Sequence, residues 1–296
     1  MGTPPRQAEG ELSYRPLSGE RSESLSGGAP AALLPEGALS PNNGEMAHVP
    51  EFSRNIRLTL AYDGTNYHGW QSQPNGVTVE ETLKGAAERI LDHRIKIIAG
   101  GRTDAGVHAL GQVANFATSK PIDCTGLCRG LNSLLPPDIR VKDACDAGPD
   151  FHARYGAKSK VYVYCILNQP CNSPFLARYA LHVPFPIDTA TMRETARLVI
   201  GEHDFSAFKK KDEVYANPVR KVMRAHVATR GRMVFVVMEA TGFLRYMVRN
   251  IVGTLLLVGQ EKIDKAAFQE ILESRQREKA GPTAPPHGLF LRVIRY

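Results

Sequence analysis

The sequence has little of the features that mark membrane-embedded and disulfide-rich proteins. Its most apolar segment, Ile251–Val258, has only eight residues and follows Arg245 and Arg249, so it is too short and too charged at its flank to span a bilayer. The five cysteines are an odd number and form no CxxC pair, so neither a disulfide framework nor a four-thiolate zinc site is indicated. We therefore expect a protein of the reducing cytoplasm without a structural metal.

The motifs that mark several enzyme classes are also absent. The chain contains no GxxxxGK[ST] phosphate loop, no GxSxG nucleophile elbow, no HExxH zinc motif and no DxDxDG calcium loop. The zinc deaminase pattern fails as well, because no His is followed two residues later by Glu. An enzymatic activity of this chain is therefore expected to use no metal ion and no nucleotide, and we predict no cofactor.

What remains is the composition of a globular protein with an uneven charge. The chain has 296 residues, of which 43% are hydrophobic and 23% charged, enough for about two domains. Residues 1–50 hold three Arg and six Glu, a net charge of −3, so the other 246 residues carry +10 of the total of +7. This surplus favours a polyanionic partner, most simply a nucleic acid, and a charge that serves only solubility is the alternative.

Residues 1–50 differ in composition from the rest of the chain. Gly, Pro, Ser, Asn and Glu dominate them, which predicts a disordered N-terminal extension. Pro30 and Pro35 interrupt the longest apolar stretch, so a secretory signal is not indicated. The abrupt change near Met46 predicts that translation of the native protein starts there.

Strand and helix patterns follow one another from residue 54 onward. Ile56–Tyr62 alternates apolar and polar residues, as a strand with one buried face does. Thr78 and Glu81 have the spacing of a capping box before a helix that ends near His93. Further strands are indicated at 95–99, 112–117, 139–144, 160–167, 219–229, 233–241 and 289–295, and further helices after residue 123 and at 188–200, 244–258 and 265–278.

Strands outnumber helices in this pattern and do not alternate strictly with them. We therefore predict an α+β fold with a mainly antiparallel sheet. A boundary near residue 150 would divide the ordered chain into an N-terminal half, 51–150, and a C-terminal half, 151–296.

The segment Gly100–His108 is the strongest candidate for chemistry. Three glycines within seven residues, placed between two strands, allow the close approach of a bulky ligand. Asp104 lies two residues from Arg102, and pairing of the two would push the pKa of the carboxyl below its ordinary value of ~3.9. An ionised carboxylate suits a nucleophile or an electrostatic stabiliser, whereas a simple turn cap formed by Thr103 and Asp104 is the alternative.

The same segment resembles a known enzyme family. GRTDAGVHALGQVANF, at Gly101–Phe116, is similar to the catalytic loop of the TruA family of tRNA pseudouridine synthases, in which an Asp stands at the position of Asp104. Four further segments resemble this family in its own order, and the similarity extends from about residue 54 to 296. They are YDGTNYHGWQ at Tyr62–Gln71, KVYVY at Lys160–Tyr164, FLRYMVRNIVG at Phe243–Gly253 and GLFL at Gly288–Leu291.

The resemblance implies a fold, a reaction and a partner. The fold would have two similar α+β halves whose sheets meet around a central basic cleft. The reaction would detach uracil from C1′ of its ribose, turn the base and rejoin it through C5, so that uridine becomes pseudouridine without a cofactor. The substrate would be the tRNA anticodon stem-loop at uridines 38, 39 and 40, and the enzyme would be a homodimer.

The resemblance also assigns residues to roles. Asp104 would be the catalytic residue, either attacking C1′ or removing a proton from C2′. Tyr162 would stack on the base or act near its C5 proton. Tyr164 faces the same side of the strand and is the residue that could be mistaken for it. Arg102 would fill the space that the flipped nucleotide leaves. Arg249 would hold the carboxylate ionised.

Two alternatives stay open on the residues themselves. Arg249 follows Arg245 by one helical turn, so both guanidiniums could face solvent or phosphate instead. At the level of the whole chain, a non-catalytic RNA-binding protein or RNA chaperone would have the same basic cleft. Such a protein would have no need of the complete set Asp104, Tyr162 and Arg249.

Overall fold

The structure is a computed structural model and describes residues 54–296. The predicted disordered extension at 1–50 and the predicted start at Met46 lie outside these residues. The described chain contains ten strands and five α-helices, joined by turns and short 3-10 helices. The strands are β1 (Arg54–Tyr62), β2 (Ile98–Ala99), β3 (His108–Thr118), β4 (Ile139–Ala147), β5 (Ser159–Asn168), β6 (Leu181–Val183), β7 (Gly201–Asp204), β8 (Val219–Arg230), β9 (Met233–Ala240) and β10 (Leu289–Arg295). The α-helices are α1 (Val79–Leu91), α2 (Cys124–Leu134), α3 (Thr189–Ala196), α4 (Met247–Gly259) and α5 (Lys265–Ser274).

The first two helices begin at polar side chains that satisfy free backbone N–H groups. Thr78 accepts the N–H of Glu81 at 3.3 Å before α1, and Asp123 accepts the N–H of Gly126 at 2.8 Å before α2. Such caps stabilise a helix start by about 1 kcal/mol. The capping-box prediction at Thr78 is confirmed in its Thr half.

All ten strands belong to one sheet in the order β4-β1-β3-β10-β5-β9-β8-β7, with β2 beside β3 and β6 beside β5. Only the pairs β3–β10 and β5–β6 are parallel. The predicted α+β fold with a mainly antiparallel sheet is therefore confirmed. The last strand, β10, lies between β3 and β5, so the strands of the two predicted halves meet along it. A division near residue 150 would fall between β4 and β5 and stays a prediction.

The core lies between the sheet and the helices. The inward residues of β1, Ile56, Leu58 and Leu60, are fully buried, as the period-two pattern predicts. Helix α2 packs on α1 and on β4, and α3 packs on α4 and on β8. No helix in the described part of the chain is long and apolar enough to cross a membrane.

The structure corrects the prediction at two segments. Within 95–99, only Ile98 and Ala99 pair with β3, so the predicted strand is a two-residue bridge. Helix α4 begins at Met247 rather than at 244, because Tyr246 adopts a left-handed conformation with φ of 67°, which a continuing α-helix excludes. Arg245 therefore does not lie one helical turn before Arg249, as the sequence pattern indicated.

Candidate active site

Asp104 opens a tight turn between β2 and β3. Its carbonyl accepts the N–H of Val107 at 3.1 Å, and Gly106 has a φ of +75°, which a type II turn requires at its third residue. Gly69 of the first motif, with φ of +88°, packs so closely that a Cβ there would lie 2.6 Å from the carbonyl oxygen of Thr103. Gly106 therefore permits the turn, and Gly69 permits the first motif to pack closely against it.

Side-chain hydrogen bonds attach the Asp104 turn to the sheet. The Gln112 side chain accepts the N–H of Gly101 at 3.2 Å and donates to the Gly101 carbonyl at 2.6 Å. The hydroxyl groups of Tyr62 and Thr103 lie 2.8 Å apart, and the N–H of Trp70 donates to the Thr103 carbonyl at 3.1 Å. The backbone on the N-terminal side of Asp104 is therefore held by buried partners.

Two arginines from the segment before and within α4 reach the Asp104 carboxylate. Arg249 Nη1 lies 3.3 Å from Asp104 Oδ2 and Arg245 Nε lies 3.6 Å from Asp104 Oδ1. The Asp104 and Arg249 side chains are 19% and 11% exposed, whereas that of Arg245 is 49% exposed. Arg249 is the better shielded partner, so its charge acts through less water.

Tyr246 lies beneath both guanidiniums, and the sequence reasoning missed it. The Arg249 guanidinium carbon lies 4.7 Å from the centre of the Tyr246 ring, and that of Arg245 lies 5.5 Å away. Arg249 Nε also donates to the Ala284 carbonyl at 2.7 Å. The left-handed backbone conformation of Tyr246 costs of order 1–3 kcal/mol in conformational free energy. No sequence pattern predicts such a conformation for a tyrosine. The ring and the carbonyl orient the guanidinium that meets Asp104.

The pKa of Asp104 differs in direction from the prediction. Burial raises the pKa of Asp104 above its ordinary value, and the charges of Arg249 and then Arg245 act against this rise. Arg102, the predicted source of a lowered pKa, is exposed and makes no hydrogen bond or ion pair with any residue in 54–296. The carboxylate is therefore partly desolvated and depends on two distant arginines for its charge.

The two tyrosines of β5 have different surroundings. Tyr162 is 7% exposed, lines the cleft in front of Asp104 and meets the edge of the Phe243 ring at 5.1 Å. Burial raises the pKa of its phenol, so the phenol stays protonated at neutral pH. Tyr164 is fully buried and its hydroxyl donates to the Pro285 carbonyl at 2.8 Å. Of the two, Tyr162 is the one that reaches the cleft.

His108, four residues beyond Asp104, connects motifs that lie far apart in the sequence. It is 1% exposed, and its Nδ1 accepts the N–H of Gly64 at 3.0 Å and lies 3.0 Å from Asp63 Oδ1. Its Nε2 lies 3.1 Å from the carbonyl of His287, and its ring stacks on Phe290 at 4.6 Å. His108 is therefore a buried residue that connects the first motif, the Asp104 loop and the segment before β10.

All four predicted site residues, Asp104, Tyr162, Arg102 and Arg249, line one cleft of about 1570 Å³. Eight Lys and Arg side chains and five Asp and Glu side chains line it, so its net charge is positive. Among residues 54–296, no group of three or more His, Cys, Asp or Glu could hold a metal ion. The fold and the cleft define a protein with a shielded, arginine-paired carboxylate in the wall of a large cleft of net positive charge.

Comparison with known proteins identifies the family to which the chain belongs. A family model described as tRNA pseudouridine synthase matches residues 59–156 and 195–296. The chain is 45% identical over 243 residues to tRNA pseudouridine synthase A of Thermoanaerobacter sp. (strain X514), covering 82% of this chain and 100% of that protein. It is 42% identical over 242 residues to the protein of the same name from Myxococcus xanthus, covering 81% and 91%.

The chain belongs to the tRNA pseudouridine synthase family, whose members are isomerases, and the predicted resemblance is confirmed. A solved structure, the archaeal box H/ACA sRNP Nop10-Cbf5 complex, is also similar, with 14% identity over 76% of this chain and 60% of that chain. Its TM-score of 0.32 is too low to support a conclusion about this protein.

Proposed function

We propose that this protein converts uridine to pseudouridine in tRNA and that Asp104 is its catalytic residue. The observation that carries the proposal is the Asp104 carboxylate, shielded in the wall of a basic cleft and 3.3 Å from Arg249. Attack on C1′ and removal of a proton from C2′ both need the ionised carboxylate. Two guanidiniums favour that form where burial alone would oppose it.

The other cleft residues have complementary roles in this proposal. The buried Tyr162 ring offers a flat apolar face to the flipped uracil, and its raised pKa favours stacking over proton abstraction from C5. Arg102 is exposed at the cleft beside Asp104, where a planar cation can occupy the vacated stack and contact a phosphate. Arg249 holds the carboxylate.

The cleft also supports a macromolecular substrate. Its volume of about 1570 Å³ exceeds the ~300–1,000 Å³ of ordinary small-molecule sites. We propose the tRNA anticodon stem-loop, at uridines 38, 39 and 40, as the target. Action on tRNA in the cytoplasm and a homodimeric state belong to the same proposal.

The competing function is a non-catalytic RNA-binding protein or RNA chaperone. A binder needs the cationic lining, but it gains nothing from a carboxylate placed among those cations, since the carboxylate repels phosphate. The ion pairs of Asp104 with Arg249 and Arg245 therefore favour the enzyme.

Tritium release from a tRNA transcript labelled at C5 of uridine tests the proposal. We expect release with the wild-type protein, none with Asp104→Asn, and none from a transcript in which uridines 38–40 are replaced by cytidine. Glu81→Gln is the matched control, because Glu81 is an exposed acidic residue of the same cleft. Since burial raises the pKa of Asp104, the neutral amide should not destabilise the fold at neutral pH.

Each outcome of this experiment has a separate meaning. Release from the cytidine transcript would keep the chemistry and refute the proposed target positions. Full release with Asp104→Asn would refute the catalytic role of Asp104. Absence of release from any labelled tRNA, with tight binding intact, would favour the RNA-binding protein.

A further inference from the structure

Tyr155 is an exposed aromatic residue at the active cleft. Its side chain is 78% exposed, whereas Trp70 and Tyr162, which line the same cleft, are 1% and 7% exposed. Other large apolar residues are exposed in the described chain, but Tyr155 is the one among them that lines the cleft. A ring left in water contributes little to folding through burial, so the Tyr155 ring is available to a ligand in the cleft.

The Tyr155 ring is held in place before any ligand binds. The His152 ring stacks on it with ring centres 4.4 Å apart. His152 Nδ1 accepts the N–H groups of Arg154 at 3.2 Å and Tyr155 at 3.1 Å, and the N–H of Gly156 donates to the His152 carbonyl at 2.8 Å. A pre-ordered ring loses less conformational entropy when a ligand stacks on it.

A cation accompanies the ring. The Arg154 guanidinium carbon lies 5.6 Å from the centre of the Tyr155 ring. Arg154 is exposed, and its guanidinium makes no hydrogen bond or ion pair with any residue that the structure describes. An exposed ring beside an available arginine is the combination that binds unpaired nucleotides, in which the base stacks and the backbone meets the charge.

The turn that carries Tyr155 packs closely against Gly100, the first residue of the loop that contains Asp104. The carbonyl of Ala153 lies 3.1 Å from the place where a Cβ on Gly100 would stand. Ala153 is anchored on both sides, since its N–H donates to Asn115 Oδ1 at 2.9 Å and its carbonyl accepts the Tyr296 hydroxyl at 2.7 Å. The backbone that carries Tyr155 is therefore anchored beside the loop that bears the carboxylate.

We propose that Tyr155 is a stacking platform for an unpaired base of the RNA substrate, a base near the flipped uridine, with Arg154 on an adjoining phosphate. The inference rests on the proposed function and adds a subsite to it. It identifies the ligand as a single-stranded nucleobase rather than a paired one, because only an unpaired base can present its face to the ring.

A fluorescent variant tests the stack directly. The chain has one tryptophan, Trp70, so Tyr155→Trp adds a second, exposed indole at the proposed platform. Titration with a tRNA transcript should quench that added emission in excess of the change seen with wild-type protein. Phe175→Trp is the matched control, since Phe175 is 86% exposed and does not line the cleft. Equal quenching in the two variants would overturn the proposal.

Binding and kinetics give the second test. Tyr155→Ala should weaken tRNA binding about tenfold, and the loss should fall on KM rather than on kcat. Tyr155→Phe should restore wild-type values, and Phe175→Ala should match the wild type throughout. Because the stack is uncharged, plots of log Kd against log salt concentration for Tyr155→Ala and wild type should run parallel.

Three results would refute the platform. They are an unchanged Kd for Tyr155→Ala, a flattened salt slope for the same variant, and a changed oligomeric state in light scattering, which would assign the ring to a contact between protein chains. A wild-type protein that makes no pseudouridine would instead refute the proposed function, since the quenching and the Kd do not depend on turnover.

Discussion

Replacing Gln112 should weaken the fold and the activity together. Its side chain is fully buried, bonds both backbone groups of Gly101 and accepts the N–H of Val113 at 3.2 Å. Gln112→Met keeps the length of the side chain but removes its polar atoms. The buried N–H and carbonyl of Gly101 then lose their side-chain partner, three residues before Asp104.

The magnitude follows from those two groups. A buried backbone group without a partner costs about 1–3 kcal/mol, so two of them should lower the free energy of unfolding by roughly 2–4 kcal/mol after partial relaxation. Displacement of the neighbouring carboxylate should lower kcat about 10- to 100-fold, because a shift near 1 Å in a catalytic group can cost that much.

Urea denaturation followed by Trp70 fluorescence measures the first effect, and tritium release measures the second. The urea midpoint should fall without a change in the m-value. Val113→Ala is the control, since Val113 is a buried neighbour on the same strand whose truncation should cost about 2 kcal/mol and spare kcat. A Gln112→Met protein with wild-type kcat, or with a stability loss below about 1 kcal/mol, would refute the reasoning.

Two further predictions concern pH. Arg249→Met removes the charge that most opposes the effect of burial on the pKa of Asp104. The pKa of Asp104 should therefore rise, and the acidic limb of the kcat/KM profile should move to higher pH. Arg249→Lys should move the limb less, and an unmoved limb in Arg249→Met would contradict the ion pair. Burial lowers the pKa of His108, so the stability that its neutral ring contributes is present above pH ~6.5 and is lost as the pH falls below that value. His108→Gln should flatten this loss in urea titrations between pH 5 and 7.5, and an equal slope in the two proteins would exclude His108 as its source.

The strands and helices could be predicted from the sequence because their causes are local. Period-two burial in β1 and the Thr78 cap of α1 depend on residues only a few positions apart, and both are present in the structure. The short strands β6 and β7 escaped prediction, because each is defined by pairing with a distant strand, β5 or β8, rather than by its own pattern. The predicted start of α4 at residue 244 was wrong, because a tyrosine at position 246 does not by itself indicate a left-handed conformation.

The sequence by itself determined the family, the α+β class and the segments that line the cleft, because ordered motifs and hydrophobic periods are properties of the chain. Only the tertiary structure decided which arginines meet Asp104. Arg102, two residues from Asp104, makes no ion pair with any residue in 54–296, whereas Arg249, 145 residues further along the chain, contacts the carboxylate. Distances of 3 to 4 Å between such residues depend on strand order, on β10 lying between β3 and β5, and on the path of the backbone at Tyr246. None of these is a local property of the sequence. Together they decide how strongly burial and the arginine charges each act on the pKa of Asp104.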